Sequence, residues 1–481
     1  MRQDELTYAI QQEFQKEPTN DQKQAIRTFI DFLTDTDRQS VMILRGSAGT
    51  GKTTLAGALV RAMQRLHQRV MLLAPTGRAA KVFSLYSNHP AFTIHRRIYR
   101  EQKFVGAEGG VFQLNNNCFH DMLFMVDESS MIANMGLAES AFGSGCLLDD
   151  LVQYVYQGDN CRLLLIGDTA QLPPVGEVES PALNPLLLAG YGLKVFQCDV
   201  NEVLRQSAQS GILSNATMIR QMITHDEKTQ LPQIHLRSFP DLSVVTGDEL
   251  IETMSSSYSE VGMDETIVIT RSNKRANIYN QGIRNRILDR EEELSTTDLL
   301  MIVRNKYFDT KNERQSVSST PAYVANGDRA VVKRVRNVIE LYDFRFADVT
   351  LAFPDYDNFE MDDVVILDTL TSEAPALTRE QSEHLFESVL EDYSDVPLKR
   401  DRIKQIKQDR YFNALQVKYA YAITCHKAQG GQWAHVYLDQ GYMTEEMLTP
   451  AYIHWLYTAF TRATEHLYLV NWPKTQTVVE E

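Results

Sequence analysis

The feature that most constrains this chain is the run "LRGSAGTGKTT", Leu44 to Thr54, which follows apolar residues 41–43 and precedes Leu55, Leu59, Met63 and Leu66 at helical spacing. It fits Gly-x-x-x-x-Gly-Lys-Thr, with Gly46, Gly51, Lys52 and Thr53 in the fixed places. A buried strand, a tight loop and a helix in that order point to an α/β fold with a parallel sheet. Each residue type has a mechanical reason. Glycines let the backbone curl so that successive N–H groups face phosphate oxygens, and the following helix presents its positive end to the same anion. The whole segment, Gly46, Ser47, Ala48, Gly49, Thr50, Gly51, Lys52, Thr53 and Thr54, is therefore expected to hold a nucleoside triphosphate. Lys52 would reach the β- and γ-phosphates, and the Thr53 hydroxyl would ligate Mg²⁺.

Three further apolar runs, residues 70–74, 123–126 and 163–166, read as buried parallel strands beside 41–44. They end in "PTGRAA", in Asp127-Glu128 and in Gly167-Asp168. Ligands collect at the carboxyl ends of strands in open α/β sheets, so the four tips should share one crevice. There Asp127 is expected to hold Mg²⁺, and Glu128 to orient and deprotonate the attacking water. Gln171, in "GDTAQLPPVG", falls where its amide can sense a γ-phosphate or its water, on a loop stiffened by Pro173 and Pro174. Hydrolysis is indicated, since a kinase needs an acceptor site and none is visible.

The rest of the chain reads as modules. A length of 481 residues calls for two or more domains. Between residues 91 and 119 a Gly-rich centre, Gly106 to Gly110, flanked by Phe104 and Phe112, reads as an inserted β-hairpin. A second α/β unit begins after about residue 208, with "ETIVIT" as a strand and "RSNKRANIYNQGIR" as a basic helix. Short apolar segments around 301–303, 322–324 and 330–335, with the Asn326-Gly327 turn, suggest a small antiparallel barrel, followed by an exposed charged segment from about 372 to 409. The α/β pattern resumes near 435–438 and 466–470.

The formal net charge of −15 argues against a nucleic-acid partner unless a local basic groove binds the phosphates. The acid is unevenly placed: Asp355, Asp357, Glu360, Asp362 and Asp363 form one cluster, and Glu387, Glu391, Asp392 and Asp395 another. Five cysteines without a Cys-x-x-Cys pair indicate thiols in a reducing compartment, and neither zinc nor an iron–sulfur cluster. With no run of eighteen apolar residues and no leader pattern, the sequence reads as a soluble, cytoplasmic protein with no membrane partner.

Taken in order, "GSAGTGKTT", "APTGRAA", "MVDESSM", "GDTAQLPPVG", "VLRQ", "YAITCHKAQGGQW" and "LYTAFTRA" resemble the motifs of superfamily 1B DNA helicases, closest to the RecD/Dda-like group. The resemblance spans almost the whole chain. It implies two RecA-like P-loop NTPase lobes, the first made of residues 1–90 and 120–208 with a pin hairpin at 91–119, the second of 209–295 and 411–481 with an SH3-like β-barrel at 296–410. It implies that Gln22 reads the adenine edge, and that Arg205 and Arg462 approach the γ-phosphate from across the cleft. Such a finger contributes roughly 10³–10⁵ in rate. Pro75, Thr76, Arg78, His95 and Arg96 on the first lobe, and Asn273, Lys274, Arg275, Thr424, His426 and Lys427 on the second, match strand-gripping positions. Short hydroxyl, amide and cationic donors suit backbone tracking without base readout. Phe104, Phe112 and Trp433 are candidates for stacking bases. The implied activity is ATP- and Mg²⁺-dependent 5′→3′ movement on single-stranded DNA, by a monomer acting at DNA forks, with repair or recombination proteins as candidate partners. Two other readings stand beside it: a DNA or RNA translocase without efficient unwinding, and an ATP-gated binding subunit of a nuclease or repair complex.

Overall fold

The structure, a computed structural model, describes residues 3–14, 17–104, 110–136, 142–202, 210–225, 230–236, 239–307, 323–356 and 358–478. The strand that feeds the phosphate loop runs Ser40–Gly46, and its residues alternate between two cores. Met42 and Leu44 pack with Leu55 and Leu59 of the helix Lys52–Arg65 and with Phe29 of the helix Asn20–Thr34. Val41 and Ile43 pack on the other face with Leu148 and Leu151 of the helix Leu147–Gln157. Helices on both faces are why these strands are apolar throughout.

Six strands form this sheet, in spatial order Ala91–Thr93, Arg69–Ala74, Met122–Val126, Arg162–Gly167, Ser40–Gly46 and Lys194–Val200, every neighbouring pair parallel. Ala91–Thr93 corrects the expected start of the insertion. Those three residues pair with Leu72 to Ala74 as the sheet's edge strand, and Thr93 then caps the helix Ile94–Ile98. The hairpin itself pairs Tyr99–Phe104 with Gly110–Leu114 in antiparallel register. Its base is anchored by Phe112, stacked on Phe142 at 4.7 Å, and by the Tyr99 hydroxyl, which donates to Asp150 at 2.6 Å. Most of the Gly-rich centre, and the Phe104 side chain, lie outside the described residues.

The second α/β layer has five parallel strands in the order Leu242–Val245, Ala463–Val470, Trp433–Asp439, Thr266–Thr270 and Ala422–Thr424. Inserted in the chain between Thr266–Thr270 and Ala422–Thr424 is a closed barrel, built from Leu299–Ile302, Arg329–Leu341, Phe344–Phe353, Phe359–Ile366 and Leu415–Tyr419. Two expectations change here. The closing strand Leu415–Tyr419 falls beyond residue 410, and Tyr323–Val324 pairs with Lys306–Tyr307 outside the barrel. The charged segment also differs from the expected exposed stretch. It forms the helices Arg379–Asp392 and Lys399–Gln408, which place Leu385, Val389 and Ile406 on Phe344, Phe346 and Ile366 of the barrel wall. Partly buried Phe386 and Leu390 pack against the same cluster, so one apolar stripe docks helices whose other faces are rich in charge. Among the described residues, no helix is long and apolar enough to cross a membrane.

Candidate functional site

The phosphate loop is shaped by its close neighbours. A Cβ on Gly46 would stand 2.6 Å from the Val200 carbonyl oxygen, so no larger residue fits there. Gly51 caps the 14-residue helix Lys52–Arg65 with φ of 77°, a left-handed conformation that favours glycine. Lys52 folds back and donates Nζ to the Gly46 and Ser47 carbonyls, each at 2.7 Å. Burial lowers its pKa, and Asp168, Glu128 and Asp127 oppose that shift, which puts all three carboxylates in the electrostatic field of one ammonium.

Asp127 and Glu128 follow the strand Met122–Val126 as expected. Burial, and then the Glu128 charge, push the Asp127 carboxyl up, while the Glu128 N–H, 2.8 Å from Asp127 Oδ1, and Lys52 pull it down. Glu128 has φ of 51°, a left-handed backbone for a residue with a Cβ. Holding such a conformation costs on the order of 1–3 kcal/mol and is found where geometry matters to function. Gln171 is buried on the next strand's loop, and its Oε1 has no hydrogen-bond partner among the described residues. An orphaned acceptor beside this cluster suits an incoming donor. Thr53, in the first turn of the helix, and Asp127 offer the hard oxygen ligands that Mg²⁺ requires. Gln22 lies against the loop, with Nε2 donating to the Thr50 carbonyl at 2.9 Å and Oε1 accepting from the Thr19 N–H at 3.0 Å.

Across the cleft, the structure brings up a residue the sequence reading missed. Tyr457, on the helix Pro450–Phe460, donates its hydroxyl to Asp168 Oδ2 at 2.6 Å and accepts from the Ala48 N–H at 3.0 Å. The neighbouring Thr458 Oγ1 accepts from the Leu172 N–H at 2.8 Å, and Gln429 Nε2 donates to the Leu172 carbonyl at 2.8 Å. Arg462 is placed differently from the expected finger. Its three nitrogens donate to the Thr458 carbonyl, the Gly431 carbonyl and Thr461 Oγ1, all in its own lobe, and it is 3% exposed. Arg205 lies outside the described residues. The adjacent hydroxyls of Tyr457 and Thr458, on a helix that also carries Tyr452 and His454 among apolar residues, were the available signal.

A second feature lies beside this cluster, a cavity of about 310 Å³ between the two lobes and the barrel. Pro75, Thr76, His95, His426 and Lys427, all expected on the strand, line it together, joined by Thr93, Met131, Asn305, Ala325, Asn326, Gly327 and Gln429. Lys427 Nζ donates to Asn326 Oδ1 at 2.5 Å, closing the barrel turn over the second lobe. Burial lowers the pKa of Lys427 and of His426, and takes His95 to about 4, so His95 is neutral at ordinary pH. Thr424 stands at the N-cap of the short helix Cys425–Ala428. The remaining candidates go elsewhere. Asn273 Nδ2 donates to the Glu373 carbonyl at 3.1 Å, Arg275 pairs with Asp439 at 2.7 Å, and Lys274 and Arg96 are exposed. Arg78 donates to the Gln432 carbonyl and stacks on Trp433, which is 1% exposed. Trp433 and the buried Phe112 therefore have no free face for a base, because each ring is already packed against protein.

Comparison with known proteins adds an independent line. Residues 17–229 match a family model described as an AAA domain, and residues 419–470 one described as a UvrD-like helicase C-terminal domain. The ATP-dependent RecD2 DNA helicase of Deinococcus radiodurans is 31% identical over 176 residues, which is 37% of this chain and 21% of that protein, so the match spans about a fifth of the relative's length. The ATP-dependent DNA helicase dda of Enterobacteria phage T4 is 24% identical over 275 residues, 55% of this chain and 57% of that one. A solved Pif1 helicase from Bacteroides, in complex with ADP-AlF3 and ssDNA, shares 13% identity at a TM-score of 0.45, covering 97% of this chain and 95% of that one.

Proposed function

We propose that this chain, which belongs to the superfamily 1B helicases of the RecD/Dda type, hydrolyses ATP and uses the cycle to move 5′→3′ along single-stranded DNA and open forks. The observation that carries this reading is the continuity between the two sites. Met131, which lines the interlobe cavity, ends the turn Ser129–Met131 that starts at Glu128. Gln429 lines the same cavity and holds the Leu172 carbonyl, next to Gln171. A change around the phosphates therefore reaches the cavity through two short, bonded connections.

In this reading the phosphate-loop N–H groups and Lys52 bind the triphosphate, and Glu128 takes a proton from the attacking water. Thr53 and Asp127 would hold Mg²⁺, which supplies charge neutralisation at the phosphate oxygens when bound. Gln171 orients the water or senses the γ-phosphate. Closure of the lobes excludes solvent and their parting releases product, which gives a cycle able to move a strand. Pro75, Thr76, His95, Thr424, His426 and Lys427 hold the strand. The division of the chain follows the same reading, with a pin hairpin carried by the first lobe and an SH3-like barrel by the second.

ATPase rate with and without single-stranded DNA and RNA oligomers tests the proposal. DNA should stimulate hydrolysis, and a fork with a 5′ tail should be unwound in preference to one with a 3′ tail. No stimulation by either polymer would remove the motor reading, and preference for the 3′ tail would reverse its direction.

A further inference from the structure

We propose that Tyr457 is a positioning residue that couples filling of the phosphate loop to the contact between the two lobes; this rests on the ATP-hydrolysing reading above. The side chain is 1% exposed and comes from the second lobe, yet both of its hydrogen bonds end in the first. A phenol has one proton. Asp168 takes it, so the Ala48 N–H is met by the oxygen lone pair. Burial and the Asp168 charge hold the phenol pKa far above its ordinary value, which keeps that proton in place.

On that reading the Ala48 N–H is one of the loop donors expected to face phosphate oxygens. A charged phosphate oxygen is a stronger acceptor than a neutral phenol. A triphosphate in the loop therefore displaces the Tyr457 oxygen from Ala48 while Asp168, the foremost anion acting on Lys52, keeps its hold on the hydroxyl. The adjacent cross-lobe bonds, Thr458 with Leu172 and His454 with the Ala170 carbonyl at 2.9 Å, do not involve the loop. One bond in this row thus responds to loop contents while its neighbours keep the helix docked. That difference is what a coupling residue needs.

Tyr457→Phe tests this, because it keeps the packed ring and deletes both bonds. The strand-stimulated kcat should fall about tenfold with the KM for ATP within about twofold, the pattern of an interaction that acts on turnover rather than on uniform binding. A kcat within twofold of the parent, with or without a change in KM, overturns the assignment. If the parent protein shows no ATPase, this proposal falls together with the reading it rests on. A measurement on the unmodified protein covers a variant that fails to fold. Amide hydrogen exchange with and without a non-hydrolysable ATP analogue, no strand present, should change protection at residues 454–460. A response confined to residues 46–54 overturns the coupling.

Discussion

The guanidinium carbon of Arg78 lies 4.3 Å from the Trp433 ring centroid, and one Arg78 nitrogen donates to the Gln432 carbonyl at 2.5 Å. A first-lobe residue expected on the strand is clamped to the second lobe. Burial lowers its pKa to about 10, so it stays charged, but the charge is directed at an aromatic face. Lys427, by contrast, lines the interlobe cavity.

The two cations should separate in a salt titration of strand binding. Removing one cation that neutralises a phosphate of a single strand reduces the slope of log K against log salt by roughly 0.7. Lys427→Ala should show that reduction. Arg78→Ala should leave the slope unchanged and lower the melting temperature, because it breaks a bond between the lobes. A reduced slope in Arg78→Ala would return that residue to the strand.

The first lobe was legible because each strand is a continuous apolar run whose end carries a charged or glycine-rich motif, so that local pattern and chemistry agree at residues 44–54 and 123–128. The barrel was less so. Leu415–Tyr419 closes it by pairing with Leu299–Ile302 and Phe359–Ile366, and nothing local distinguishes that strand from the start of the following α/β layer. Tyr457 was hidden for a related reason. In a helix of buried aromatics a tyrosine reads as core, and its partners lie 289 and 409 residues away in the chain. Arg462 shows the opposite case. Its motif marks it as important, but three bonds within its own lobe reveal a structural duty that no motif records.

Glu128→Gln should separate binding from chemistry. The amide keeps the size of the side chain and the left-handed backbone but cannot accept a proton as a carboxylate does. Loss of a general base costs roughly 10²–10⁴ in rate. ATP affinity, measured by titration with a fluorescent analogue, should hold within a few-fold while kcat falls by that amount. Near-normal turnover would move the base elsewhere, and lost binding would make Glu128 part of the nucleotide cradle.

Lys52→Ala removes the ammonium bonded to the Gly46 and Ser47 carbonyls. Both nucleotide affinity and turnover should drop below detection in the same assays. Because the lysine is buried among carboxylates, its loss should also raise the pKa of Asp127, whose charge it favours. Retained turnover would dissociate the loop from catalysis.

Arg462→Ala should lower stability as well as rate. The side chain is 3% exposed and its removal leaves the buried Gly431 carbonyl without its Arg462 donor and the Thr458 carbonyl with only the Thr461 hydroxyl, at a cost on the order of 1–3 kcal/mol. Melting temperature and kcat should therefore fall together. A large drop in kcat at unchanged melting temperature would show that the arginine acts on phosphate alone.

Asp328 should make stability depend on pH in a direction opposite to that of an ordinary paired carboxylate. It lies where the barrel meets the first lobe, beside Gly77, where an added Cβ would stand 2.3 Å from its Oδ1. Burial raises its pKa to about 7 and Asp355 adds to that, against hydrogen bonds from the Tyr356 hydroxyl and the Ala325 N–H. Asp355 itself is paired with Lys81 at 3.4 Å. In the unfolded chain an aspartate titrates near roughly 3.9. Between those values the folded protein binds a proton that the unfolded chain does not, so the contribution is complete below about pH 4 and is lost as pH rises through about 7. Asp328→Asn stays neutral throughout. Its melting temperature, relative to the parent, should therefore rise between about pH 4 and about pH 7 and level off above, and parallel curves would mean that Asp328 is already ionised in the fold. Since Ala325, Asn326 and Gly327 line the interlobe cavity, strand affinity should weaken as pH rises through about 7 more in the parent than in the variant.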